Sequence, residues 1–547
     1  MQSLASERAG ADATIDAADR TGALAIFALL LALYTLTFCG LPDNPDAEVE
    51  FQTARSLFHT HSMALGNTPE AAAIIAANFD IAPGVGPRAG RWYAWFGIGQ
   101  ALTALPFYAV GELFEALFPD VEARHAQTQA YGAARSEYWQ HLWVGWRNSL
   151  FGAASAAWLV FVARRLGASR RSALLAALLY GTTTFAWPQA RSTLSDVQAT
   201  LCLLVAFERW LAYRGNPCER TSVLACAGAA LAATVLTRVA LAPAALCVAI
   251  AVASSLIARR ARPRAWCAFL APLTLGAALF ALTNQLRFGS VFETGYGTAL
   301  AEGTFFSYPP HLGLAGLLLS PGKGLLWMAP LLLLAPLAWS AARAPAARAW
   351  VMLSAAVALA VALPVAFTQT WHGAWTFGPR YLLPLLPFLW PAVALALDRI
   401  RAQRSWSLCA GALALAGLAT TLPGVLVDHM THQDLAVQAA RIEWPEPGGR
   451  DAREEDAARF LLIQWNWSFA APWAHWRIAN QRLRGGDDVY SARTLFGVDS
   501  TALLRPEHER ELGWRHFAWV DMQQRVKGPA WIGPSAVTLL LLLAALA

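Results

Sequence analysis

Long apolar runs separated by short polar connections, many carrying arginine, set the pattern of this chain. Each of twelve runs is read as crossing roughly 30 Å of hydrocarbon: residues 22–40, 143–163, 172–187, 195–212, 222–237, 239–257, 265–284, 323–340, 350–368, 381–397, 405–426 and 531–547. The pattern predicts an all-α polytopic membrane protein with about 12 transmembrane helices. One further apolar stretch, 97–118, contains Gly97, Gly99, Pro106, Gly111, Glu112 and Glu115. That composition suits a helix lying at the membrane surface better than a span.

Arginine placement supports the same choice. If 97–118 crossed, five arginine-bearing connections would move outside, among them Arg164/Arg165/Arg170/Arg171, Arg259/Arg260/Arg262/Arg264 and Arg399/Arg401/Arg404. Such an inversion opposes the positive-inside bias. The resulting organisation has a cytoplasmic tail at 1–21 and a transmembrane module at 22–426 with a large first external loop at 41–142. An external, periplasmic-type domain at 427–530 precedes a last transmembrane helix at 531–547. The expected location is a bacterial-type inner or plasma membrane, crossed many times.

Composition agrees with this class: 56% of the 547 residues are hydrophobic and only 14% charged, which excludes a soluble globular fold. The net charge of +6 comes largely from loop arginines, so it reports topology and not a nucleic-acid partner. The seven cysteines fall in apolar segments or at their ends, which argues against disulfides and a cysteine metal site.

Candidate chemistry concentrates just past the first apolar run, where Asp43, Asp46, Glu48 and Glu50 cluster. Asn44 and Pro45 are helix-start residues, and Ala47, Phe51, Ala54 and Phe58 recur at helical spacing, so an amphipathic helix should lie on the membrane. Asp46 falls in its first turn, where the helix dipole favours the charged form. It could take a proton from an acceptor hydroxyl, or it could only stabilise the turn. Asp43 and Glu48 are supporting candidates for a metal or the acceptor.

Arg191, Arg238, Arg287 and Arg380 stand at outer ends of spans, against the positive-inside bias, and Arg91 lies in the first loop. Together they could hold a phosphate through bidentate hydrogen bonds; singly, each could snorkel to lipid. Aromatic residues beside glycine turns, namely Tyr93, Tyr296, Trp371, His372 and Trp375, suit stacking on a sugar or head group, or an interfacial aromatic belt. The other histidines show no metal-ligand spacing.

These pieces in this order resemble the C-type (GT-C) integral membrane glycosyltransferases, the superfamily of protein O-mannosyltransferases and the lipid A aminoarabinose transferase. The resemblance rests on NPDAEVEFQTARSLFHTHSMAL, RWYAWFGIGQALTALPFYAVG, FVARRLGASRR, LRFGSVFETGY with LLLSPGKGLLW, and WHGAWTFGPRYLLPLLP, and spans about residues 22–400. It implies inverting transfer of a sugar from a polyprenyl-phosphate donor to an acceptor at the external face, with Asp46 as catalytic base. Related sequences often carry a lysine just before the surface helix; Tyr93 to Gly99 has none, so the donor phosphate falls to the arginines. No cofactor is required under this reading and a divalent cation is optional; the partners are the lipid-linked donor, an unassigned acceptor and membrane lipid. A glycolipid transporter or flippase, or a non-catalytic glycolipid-binding protein, are the alternatives.

Overall fold

Asp16 starts the first helix: its side chain accepts the Asp19 N–H while Asp19 takes the Asp16 N–H, a capping box. The computed structural model describes residues 15–40, 45–78, 80–127, 137–215, 221–297, 300, 303, 305–343, 345–373, 375–445, 452–506, 517–524, 526–529 and 532–546. Ala17–Thr37 has 21 residues, about 30 Å of rise, which matches a hydrocarbon layer. The helix begins earlier than the apolar pattern predicts because the two aspartates are absorbed by partners.

The ends of this helix mark two polar layers. At one end Asp19, fully buried, receives Arg164 Nε and Arg170 Nε at 2.9 Å each. Beside it Arg165 pairs with Glu208 at 2.5 Å, and Asp398 accepts from Ser169 and Ser172. At the other end Arg191 Nε donates to Thr37 O at 2.8 Å and the Cys39 thiol donates to Arg191 O. The arginines of the 164–171 turn are therefore largely neutralised by acids on neighbouring helices.

Among the described residues, five helices are long and apolar enough to cross a membrane: Ala17–Thr37, Val239–Ala258, Pro263–Phe288, Ala347–Ala366 and Arg404–Leu426. The other predicted spans form helices that carry charge, run shorter or break. Tyr138–Arg165 buries Arg147, and Thr221–Thr237 has 17 residues. Residues 323–340 divide into Leu325–Met328 and the 3-10 segment Pro330–Arg343. Residues 381–397 divide into Leu386–Leu389 and Pro391–Ile400, after a 3-10 turn at Arg380–Leu382. Proline explains the breaks, since Pro384, Pro387 and Pro391 remove amide donors and crowd the preceding turn. The class is all-α with very little sheet.

The 97–118 stretch forms Ile98–Leu117, followed after a 98° bend by Pro119–His125. Glycines let it lie close to its neighbours. A Cβ on Gly97 would stand 2.0 Å from Leu236 O, and one on Gly111 would stand 2.5 Å from Gln140 Cα. Ile81–Pro83 and Trp92–Ala94 form a short antiparallel hairpin with Ala82 opposite Tyr93. The region after Val427 has a hydrophobic cluster of its own, built from Leu435, Ala439, Ile463, Phe469, Ile478, Tyr490 and Phe496.

Exposed positions on the two polar layers allow a topology test. In a cysteine-free background, Pro87→Cys and Asp499→Cys should react with an impermeant thiol reagent on intact cells, and Gln403→Cys only after permeabilisation. Reaction of all three on intact cells would contradict the two-layer arrangement.

Candidate functional site

Pro45–Thr60 is a helix with Asp46 and Glu48 in its first turn, as the sequence pattern predicts. Residues two apart on a helix point to nearly opposite sides, so the two acids part company. Asp46 Oδ2 accepts from Arg380 Nη1 at 3.0 Å. Glu48 turns into the protein, where it accepts from Gln52 Nε2 at 2.8 Å and meets His141 Nε2 at 3.2 Å. Glu50, one turn after Asp46, is buried with Oε2 unpartnered. Burial pushes its carboxyl well above the usual range, with Arg147 opposing and the Asp46 charge adding. Asp43 lies outside the described residues.

The Asp46 to Arg380 ion pair is largely sheltered, with side-chain exposures of 17% and 8%. A charge-assisted bond in that setting is stronger than at an open surface. Arg380 Nη2 donates to Tyr381 Oη at 3.1 Å, while its Nε has no partner although buried. Arg238 lies 5.3 Å from the centre of the Tyr381 ring and donates to Asp196 Oδ2 at 3.0 Å. Asp196 is fully buried and its Oδ1 is unpartnered.

Asp80 completes the group. Its backbone is left-handed, at φ 51°, just before the hairpin strand Ile81–Pro83, and its carbonyl accepts from Trp95 N at 3.1 Å. Left-handed geometry is tolerated by aspartate better than by most residues. Burial, then the charge and hydrogen bond of Asp46, push the Asp80 carboxyl up to about 8, with Arg380 pulling the other way. A raised carboxyl beside a second one is the pattern of two carboxyls sharing one proton. Tyr296 borders the same group: Arg238, Asp80, Tyr381 and Asp46 all act on its hydroxyl, and its ring lies 5.1 Å from Trp95. The Trp95 indole N–H is buried without a partner.

The structure thus gathers Asp46, Arg380, Arg238 and Tyr296 of the sequence candidates. Arg287 is committed elsewhere: Nη1 donates to Ala94 O at 2.9 Å and Phe96 O at 2.8 Å, and Nη2 to Asn284 Oδ1 at 3.0 Å. It latches the Pro263–Phe288 helix onto the hairpin. Arg191 ties Thr37 O to Gly424 O, and Arg91 is exposed in the hairpin turn. Tyr93 is buried against Phe288. Trp371 is fully buried, stacked over Gly316, and Trp375 packs on Phe460. His372 is buried beside Lys323 and Arg380, and burial followed by those two charges lowers its ring to about 3.

Sequence reasoning singled out none of Asp80, Asp196, Tyr381 and Lys323 as site residues. Lys323 is fully buried and donates from Nζ to Thr376 O. Its signal was the glycine-flanked GKG turn; Asp80 had none beyond a lone acid before a Pro-Gly turn.

No family pattern and no curated protein matches this sequence. Among solved structures, the chain is similar to ArnT from Cupriavidus metallidurans bound to undecaprenyl phosphate. That match is 16% identical, covers 85% of this chain and 72% of that one, and has a TM-score of 0.43. It is also similar to the archaeal oligosaccharyltransferase AglB from Archaeoglobus fulgidus in complex with an inhibitory peptide and a dolichol-phosphate. There the identity is 12%, the coverage 83% and 62%, and the TM-score 0.40.

The raised Asp80 carboxyl has a definite pH signature. Its folded-state value of about 8 lies above the unfolded value of roughly 3.9, so the stabilisation is fully present below the unfolded value. It is lost as pH rises through 8. Asp80→Asn keeps the neutral state at every pH, so its melting temperature relative to wild type should climb between pH 5 and pH 9, read in detergent micelles. Parallel profiles would show that Asp80 does not carry the shared proton.

Proposed function

We propose that this chain is an inverting glycosyltransferase that moves a sugar from a polyprenyl-phosphate donor to an acceptor hydroxyl at the external membrane face. The observation that carries the reading is the Asp46–Asp80 carboxyl pair facing Arg380, a buried guanidinium with an unsatisfied Nε–H. A base and an anion-binding donor set stand together, on the side of the membrane module where a lipid head group would arrive. The twelve-span arrangement, with 41–142 and 427–530 external, belongs to the same proposal.

The chemistry needs few parts. The acceptor oxygen forms a bond to the anomeric carbon as the carbon–oxygen bond to phosphate breaks, and the bonding pair leaves with the polyprenyl phosphate. Asp46 takes the acceptor proton. The leaving phosphate is already a stable anion, so the protein's work is positioning and charge compensation. Arg380 Nε is the free donor for a phosphate oxygen, with Arg238 beside it through Tyr381; Arg287 holds the hairpin floor. A phosphate on the free Nε–H shares the guanidinium charge with Asp46, which loosens its hold on that carboxylate and makes Asp46 available as base. No cofactor is needed for this step, and a divalent cation between Asp46 and Asp80 is optional.

Purified protein given donor with a radiolabelled sugar should release the label from polyprenyl phosphate onto acceptor. Asp46→Asn should slow turnover by roughly 10²-fold or more while donor still binds. A flippase would move donor between leaflets and leave the sugar–phosphate bond intact. Near-normal turnover in Asp46→Asn would remove Asp46 from the base role.

Arg380→Ala should weaken donor binding by about 1.5–3 kcal/mol, the size of a lost charge-assisted hydrogen bond. Lysine there should restore part of the loss, because a point charge lacks the guanidinium fork. Unchanged donor affinity in Arg380→Ala would move the phosphate away from this group.

A further inference from the structure

Three histidines that the mechanism does not use converge beside the loop that carries Arg380. His429 and His432 stand in the first turn of His429–Glu443, and His475 comes from the neighbouring Ala471–Leu483 helix. One ring nitrogen from each lies within 4.8 Å of the other two; His432 and His475 are fully buried and His429 half-buried.

Backbone carbonyls fix two of the tautomers. His475 Nδ1 lies 3.1 Å from Pro423 O, and His432 Nε2 lies 3.0 Å from Phe469 O. A carbonyl only accepts, so each of those nitrogens carries the hydrogen. The opposite nitrogens, His475 Nε2 and His432 Nδ1, are left as bare lone pairs. His432 Nδ1 has no partner although the residue is 1% exposed. A buried acceptor without a donor costs about 1–3 kcal/mol. Ring nitrogens held by carbonyls on their far side are what metal-ligating histidines show.

The spacing fits a metal as well. His429 Nδ1 and His475 Nε2 are 3.3 Å apart; a tetrahedral zinc with bonds of 2.0–2.1 Å needs about 3.4 Å between ligand nitrogens. The third nitrogen lies within 4.8 Å of both.

We propose that His429, His432 and His475 form a binding site for a divalent transition metal of the zinc class, with water as fourth ligand. The water would come from a cavity of about 30 Å³ bordered by His429, Asp428, Thr376 and Gln189. The ion would act as a clip. Phe377 packs against His429 and His475, with ring centres 5.8 and 5.3 Å away, and lies three residues before Arg380. Metal on these rings holds the external helices against the segment that presents Arg380. This site does not depend on the glycosyl-transfer reading.

The test uses the full-length protein in detergent, stripped with chelator and then titrated with zinc or cobalt chloride alone. Wild type should retain one zinc per chain after gel filtration, show the ligand-field bands of four-coordinate cobalt, and melt higher with metal than without. His432→Ala and His475→Ala should bind about 100-fold more weakly or worse, while Asp46→Asn binds like wild type. Zinc uptake that survives both histidine variants, or that is lost in Asp46→Asn, would overturn the assignment. Should the alanine variants fail to fold, the wild-type measurement still decides: no retained zinc and no four-coordinate cobalt spectrum would refute the site.

Discussion

The ion pair between Asp46 and Arg380 is the contact on which this polar face of the molecule depends. It joins residues 334 positions apart, one on a helix that follows the first span and the other at the foot of a proline-broken segment. Neither partner can be left alone. An unpaired charge in so sheltered a place costs several kcal/mol, so the two segments must stay together or the charges must find other partners. The loop before Arg380 is shaped to keep them together, because Gly373 and Gly378 are left-handed, at φ 75° and 74°. A side chain at Gly378 would meet Phe185 Cβ at 2.8 Å, and one at Gly373 would meet Arg380 Cγ at 2.9 Å. Only glycine lets the chain turn there and still leave room for the guanidinium.

Much of this face was legible in the sequence, and the remainder was hidden for identifiable reasons. The helix at Pro45, the carboxylate in its first turn and the arginine after Gly378-Pro379 follow from local rules of capping and charge placement. Asp80 does not, because it reaches Asp46 only through the hairpin and a left-handed residue, a long-range closure with no periodic signature. Arg287 shows the opposite difficulty. Its identity and side were readable, but nothing local says that its donors end on Ala94 O and Phe96 O. The histidines failed for a third reason: His475 belongs to a different helix, so no spacing rule links it to His429 and His432. Apolar length likewise over-predicts unbroken helices at 323–340 and 381–397, where proline decides the local structure.

The charge balance at the centre explains why a protonated Asp80 matters to a phosphate-binding reading. Arg238 is matched by Asp196 and Arg380 by Asp46. With Asp80 neutral, the group of five carries no net charge, and the unpartnered Arg380 Nε–H can attract an anion. Were Asp80 ionised, the same group would carry a net negative charge in a sheltered setting, where repulsion between like charges is poorly screened. A phosphate would then be opposed before it reached the guanidinium. On the phosphate-binding proposal, the same desolvation that raises the Asp80 carboxyl would keep this group receptive to an anion. The hairpin that Arg287 latches in place supplies this geometry, so an arginine that touches no part of the central group still sets its charge.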